Sequence, residues 1–204
     1  MGYPYTHLAG PTSAVANRYV ASANMKVGSY TLANATPPTG GARKVTVTHT
    51  QVGGVTDTLG TITVTGTSLS GDTISETLTP LSGTIATGTR YFATITSIVG
   101  AGWVINTGND TIVVGCDAAA ILREGTGTLQ SVAINTTSAS TITIADSSGT
   151  IAVLPASVAA GTFYDYETDF NGYLSITLAG ASDITVMHSA PIATGTAFAT
   201  RTLT

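Results

Sequence analysis

Residues 128–188 read TLQSVAINTTSASTITIADSSGTIAVLPASVAAGTFYDYETDFNGYLSITLAGASDITVMH, and this stretch decides the fold class. Short apolar runs are cut by turn residues. Val132 and Ile134 share one side. Ile142 with Ile144, Ile151 with Val153, Leu174 with Ile176 and Leu178, and Ile184 with Val186 repeat the spacing. A period of two over four to eight residues marks a half-buried strand. Asn171-Gly172 is the strongest turn signal, because both residues tolerate positive φ. It predicts that FYDYETDF and YLSITL fold back on each other as a hairpin.

The same reading extends toward the N-terminus. KVTVTHTQ places Val45, Val47 and His49 on one face, and His49 is expected as a hydrogen-bonded histidine near the core. LGTITVTGT turns Ile62 and Val64 inward. SGD at 70–72 reverses the chain into TISETLT, where Ile74 and Leu78 share a face with Glu76. An inward-pointing charge is one device that keeps an edge strand from pairing with strangers. YFATITSIV and NDTIVVGC supply further strands, and Trp103 reads as a core or sheet-edge anchor.

Two segments lack this alternation. Residues 1–24 are read as an N-terminal arm, with a weak helical alternative over 12–23 and MKVGSYTLAN (25–34) opening the first sheet domain. AAAILREGTG (118–127) suggests a turn or two of helix ended by Gly125 and Gly127, and so a linker. The expected organisation is all-β: two small β-sandwich domains at 25–118 and 128–189, a linker at 119–127, and extended arms at 1–24 and 190–204. One large jelly roll over 28–188 is the alternative.

Composition narrows the function classes. The chain has 204 residues, and only 9% are charged, against about 25% in an average soluble domain. Threonine does the work of keeping the outward faces wet, being β-branched and uncharged. So few charges favour association with copies or partners. A net charge of −4 argues against a nucleic-acid partner. Arg18, Lys26, Arg43, Lys44, Arg90 and Arg123 precede the acid-rich end, where only Arg201 is basic. The front half therefore suits an acidic partner surface. Cys116 is the single cysteine, no secretory signal is recognised, and no apolar run is long enough for a membrane helix.

No catalytic signature stands out: G-x-S-x-G is missing, and His7, His49 and His188 lie in unlike contexts. No enzyme activity and no cofactor are expected. DYETDFNG (165–172) places Asp165, Glu167 and Asp169 at alternate positions. A calcium loop would need glycine and glutamate where Phe170 and Ile176 stand, so the three acids remain only a weak metal candidate.

ARKVTVTHTQVGGVTDTLGTITVTGTSLSGDTISETLTP, followed by YFATITSIVG and DTIVVG, resembles an immunoglobulin-like domain of tailed-bacteriophage structural proteins. LQSVAINTTSASTITIADSSGTIAVLP and TFYDYETDFNGYLSITLAGASDITV resemble the small, jelly-roll-like β-sandwich of phage head-decoration and fibre proteins. The resemblance covers roughly residues 25–188 and implies a virion structural protein. Its first form is a capsid decoration or cement protein on the outside of the head, a homotrimer that binds the major capsid protein. The arm residues Tyr3, Tyr5, Arg18, Tyr19 and Arg43 are the expected capsid contacts, and removing residues 1–20 is expected to leave the sandwiches folded. The alternative is a tail or fibre protein that binds surface carbohydrate through Tyr164, Tyr166 and Tyr173.

Overall fold

The computed structural model describes residues 5–9, 14–38, 40–53, 57–105, 108–180 and 182–189. These residues form an all-β, sandwich-type fold of four antiparallel sheets. In chain order the strands are β1 (Tyr5–Ala9), β2 (Val15–Asn24), β3 (Arg43–Thr50), β4 (Thr58–Thr67), β5 (Thr73–Leu78), β6 (Ile85–Phe92), β7 (Thr94–Val104) and β8 (Thr111–Cys116). They continue as β9 (Ala119–Glu124), β10 (Gly127–Thr136), β11 (Ile142–Asp146), β12 (Gly149–Leu154), β13 (Phe163–Phe170), β14 (Tyr173–Leu178) and β15 (Asp183–Ser189).

The front pair of sheets, β2-β8-β3-β6 and β5-β4-β7, encloses one apolar cluster built on Tyr19, Val45, Val47, Ile62, Val64, Phe92, Ile98 and Ile112. The rear pair, β1-β15-β10-β13 and β12-β11-β14-β9, encloses a second cluster that includes Leu8, Val132, Ile134, Ile142, Ile176, Ile184 and Val186. The inward sets predicted by alternation at β3, β4, β10, β11, β14 and β15 are all buried. One expected pair divides. In β12 a bulge opposite Ile144 and Ala145 turns Ala152 and Leu154 toward β11's inward residues and leaves Val153 exposed.

The N-terminal residues differ most from expectation. Instead of an arm, 1–24 contains two integral strands. β1 pairs antiparallel with β15, Tyr5 opposite Met187 and Leu8 opposite Ile184, so it is an edge strand of the rear pair. β2 pairs with β8 and buries Tyr19 and Val20 in the front cluster. The front pair is thus inserted in sequence between β1 and the rest of the rear pair. The expected opener 25–34 instead runs along the front sheets, with Ser29 bridged to Val99 and the Ala33 amide donating to the Tyr19 carbonyl at 2.7 Å. The segment 190–204 lies outside the described residues.

The expected linker is also a strand. β9 pairs with β14 on one edge. On its other edge Ala42 and Ile121 exchange two backbone hydrogen bonds, 2.9 and 2.8 Å. Ala120, Ile121 and Leu122 are consecutive and all buried. A strand covered on both faces shows no alternation, which is why AAAILRE looks helical in the sequence.

Asn171-Gly172 turns the chain as predicted, with Gly172 at φ 72°, but it does not make a hairpin. β13 pairs with β10 in one sheet, and β14 pairs with β11 and β9 in the other. The corner is captured by the β11–β12 tip. Asp146 accepts from the amides of Ser148 (2.8 Å), Gly149 (3.0 Å) and Asn171 (2.9 Å). The Ser147 hydroxyl and amide both donate to the Asn171 carbonyl. These amide donors hold the Asp146 carboxyl below its ordinary value, the Asn171 amide contributing most. The chain therefore changes sheets at 171–172 because a better set of partners waits in the facing layer.

Candidate binding face

The five expected contact residues have different fates. Tyr3 lies outside the described residues. Tyr5 is 68% exposed. Arg18 is half-buried and spent on the neighbouring loop, its Nε donating to the Thr36 carbonyl at 2.7 Å. Tyr19 and Arg43 have no exposed surface at all. Both therefore serve the interior in the folded chain, and only Tyr5 among the described four presents a free side chain. The same burial changes the expectation for removing residues 1–20, since Leu8, Tyr19 and Val20 all belong to cores.

Arg43 sits where the two sheet pairs meet. Its guanidinium donates to the carbonyls of Pro38 (2.9 Å) and Asp117 (3.3 Å). Burial lowers its pKa, while Cys116, Tyr19 and Asp117 work in the opposite direction. Burial raises the Tyr19 hydroxyl and the Cys116 thiol, and pushes the Asp117 carboxyl up to about 6 even against the attraction of Lys44 and Arg43. Around them the pairs are fastened by the Tyr91–Tyr173 ring contact (5.7 Å), by Lys44 over the Tyr91 ring (5.1 Å) and by the Ser70 hydroxyl donating to Glu124 (3.0 Å). These contacts and the two-residue crossover from β8 to β9 tie the halves together.

The tyrosines of the carbohydrate alternative do not form an open platform. Tyr164 and Tyr166 stack at 6.5 Å and pack against the rear core, and Tyr173 is engaged by Tyr91. The three acids of β13 are also separated. Asp169 accepts from the Thr128 hydroxyl at 2.8 Å and lines a cavity with Asp146 and Asn171. Asp165 and Glu167 line another cavity with Gln130, Ser131, Phe163 and Met187. A bulge between Asp165 and Thr168 and a left-handed φ of 45° at Glu167 break the strand's alternation between them. Among the described residues no group of three His, Cys, Asp or Glu side chains is placed to hold a metal ion. His49 is where it was expected, its Nε2 2.7 Å from Asp110 Oδ2 and both side chains buried. Glu76 also matches its reading, accepting from the Thr89 amide and hydroxyl and the Arg90 amide on β6, across the open side of the front pair.

What the sheet pairing assembles is the outer face of β1-β15-β10-β13. Leu8, Ile184, Val186, Val132 and Ile134 point inward, so their neighbours point out. One row crosses the sheet as Tyr5, Met187, Ser131 and Asp165, and the next as His7, Thr185, Ala133 and Phe163. Phe163 is 51% exposed at the far edge, as Tyr5 is at the near one. At the rim Asp183 takes hydrogen bonds from the Asn135 amide and the His7 ring, both at 2.7 Å, and these, the amide foremost, lower its pKa. No sequence signal joined Tyr5 to Phe163, because their placement on one face is created by β1 returning to the rear sheet. Residues 118–189 carry Arg123 against Glu124, Asp146, Asp165, Glu167, Asp169 and Asp183, whereas the five acids and five bases of 14–117 balance. The face is therefore aromatic at two edges and lies on the acidic half.

Comparison with protein-family models, with curated proteins and with solved structures gave no significant match.

Proposed function

We propose that the protein is a virion structural protein of the tailed-phage type: a capsid decoration or cement protein that binds head subunits and copies of itself, as a trimer, on the capsid surface. In this reading the front sheets are an immunoglobulin-like sandwich and the rear sheets a second, jelly-roll-like sandwich completed by β1. The observation that carries the proposal is the outer face of the rear sheet, where Tyr5 and Met187 in one row and Phe163 at the edge of the next leave apolar surface uncovered among hydroxyls and a few acids. Covering such a face gains roughly 25 cal/mol per Å² of apolar surface, less the cost of association. A shell repeats each contact by symmetry, so weak single contacts add up to firm binding. The contacts across the junction fit a bridging role, because a free hinge would waste the second contact's effective concentration. Nothing in the placement of Tyr164, Tyr166 and Tyr173 favours the carbohydrate alternative.

The test is association with particles. Gradient-purified heads should carry the protein, and Tyr5→Ser combined with Phe163→Ser should release it without changing its fold. Particles free of the protein, or a double variant that binds as the parent does, would overturn the proposal.

A further inference from the structure

On the outer face of the rear sheet, β10, β13 and β15 enclose a cavity of about 250 Å³ lined by Gln130, Ser131, Phe163, Asp165, Glu167 and Met187. It is smaller than the pockets that take drug-sized molecules, about 300–1,000 Å³, and suits a single side chain. Its wall is rich in acceptors. Asp165 and Glu167 have no hydrogen-bond or ion-pair partner among the described residues, and the Gln130 Oε1 is buried without one. Ser131 is only 3% exposed, and its hydroxyl has no hydrogen-bond partner among the described residues either. Buried polar groups normally find partners, so the buried Gln130 amide oxygen, beside a serine that is almost wholly covered, points to a donor supplied from outside. The backbone is strained at the same place. Glu167 holds φ 45° and the β10–β13 register slips between Leu129 and Ser131, a left-handed residue costing about 1–2 kcal/mol.

We propose that this cavity is a binding site for a basic side chain, above all an arginine guanidinium, presented by a partner protein. A guanidinium offers donors to two carboxylates, an amide oxygen and a hydroxyl, and its flat face can lie on an aromatic ring such as Phe163. The surplus of acids on residues 118–189 draws a cation toward it. A neutral polyol could use the hydrogen bonds but would leave both carboxylates uncompensated. Exposed ion pairs are individually weak, so the site serves as one anchor in a repeated contact. The inference takes from the shell-binding proposal only the source of the side chain.

The test uses the whole chain and small probes, followed by NMR. N-acetyl-arginine amide should shift the Ser131, Phe163 and Met187 resonances saturably, in the millimolar range. N-acetyl-citrulline amide, with the same shape and no charge, should bind about tenfold more weakly, the loss expected for charge-assisted hydrogen bonds. Asp165→Asn and Glu167→Gln should each weaken arginine binding with the spectrum otherwise unchanged, while Asp169→Asn, in the neighbouring cavity, should not. Citrulline or methyl glucoside binding as well as arginine, no saturable shift at all, or Glu167→Gln binding undiminished would overturn the assignment. None of these results depends on whether the protein is found on particles.

Discussion

Leu8→Ala separates a seated strand from a loose arm. Leu8 has no exposed surface, faces the rear cluster and lies opposite Ile184. Truncating a buried leucine costs about 2–5 kcal/mol, set by how far the site can collapse. β1 has five residues and is paired along one edge only, so it can shift to fill part of the gap. The expected loss is therefore about 2–3 kcal/mol, near the low end of that range. Tyr5, three residues earlier on the same strand, is 68% exposed, and Tyr5→Ser should stay within about 0.5 kcal/mol. Urea unfolding followed by NMR of the β10, β14 and β15 amides reads the rear pair directly. The Leu8→Ala midpoint should fall with an unchanged slope, which marks lost stability rather than a changed unfolded state. Equal midpoints for the two variants would refute the seating of β1, and a loss at Tyr5 with none at Leu8 would mean its register is off by one.

Two further predictions concern the junction and the sheet-changing corner. Asp117 holds its proton up to about pH 6 in the folded chain, whereas an unfolded aspartate releases it near pH 3.9. Its contribution to stability therefore falls as pH rises from about 4 to about 6 and is flat above. The melting temperature of Asp117→Asn, measured relative to the parent, should climb through that window and then level off; a pH-independent difference would contradict the burial argument. Asp146 accepts three amides at the corner, so Asp146→Ala should destabilise the rear pair by about 2–3 kcal/mol in the same urea assay. A loss below half a kcal/mol would show that the corner is held by other contacts.

Much of the fold is legible because one face of most strands is wet. Val45-x-Val47, Ile62-x-Val64 and Ile142-x-Ile144 alternate for that reason, and all six are buried. Glu76 and His49 could be placed from the company they keep on a strand. The failures share a cause: they sit where layers meet or where the chain changes sheets. β9 lost its alternation because Ala42 covers the far edge and both faces are packed. Asn171-Gly172 announced a turn correctly, but a turn residue specifies φ and not which sheet receives the next strand. β1 could not be assigned because its partner β15 is about 180 residues away, a pairing that no local pattern encodes. The cavity at Ser131 was out of reach for the same reason, since it needs three strands and two bulges to exist.

The most direct test of the account is amide hydrogen exchange on the full chain, free and bound to head particles. Binding through the rear sheet's outer face predicts added protection in β1 and β13, at Tyr5–Ala9 and Phe163–Phe170, with β4 and β7 of the front pair unchanged. Protection confined to the front sheets, or no difference between free and bound chain, would contradict it.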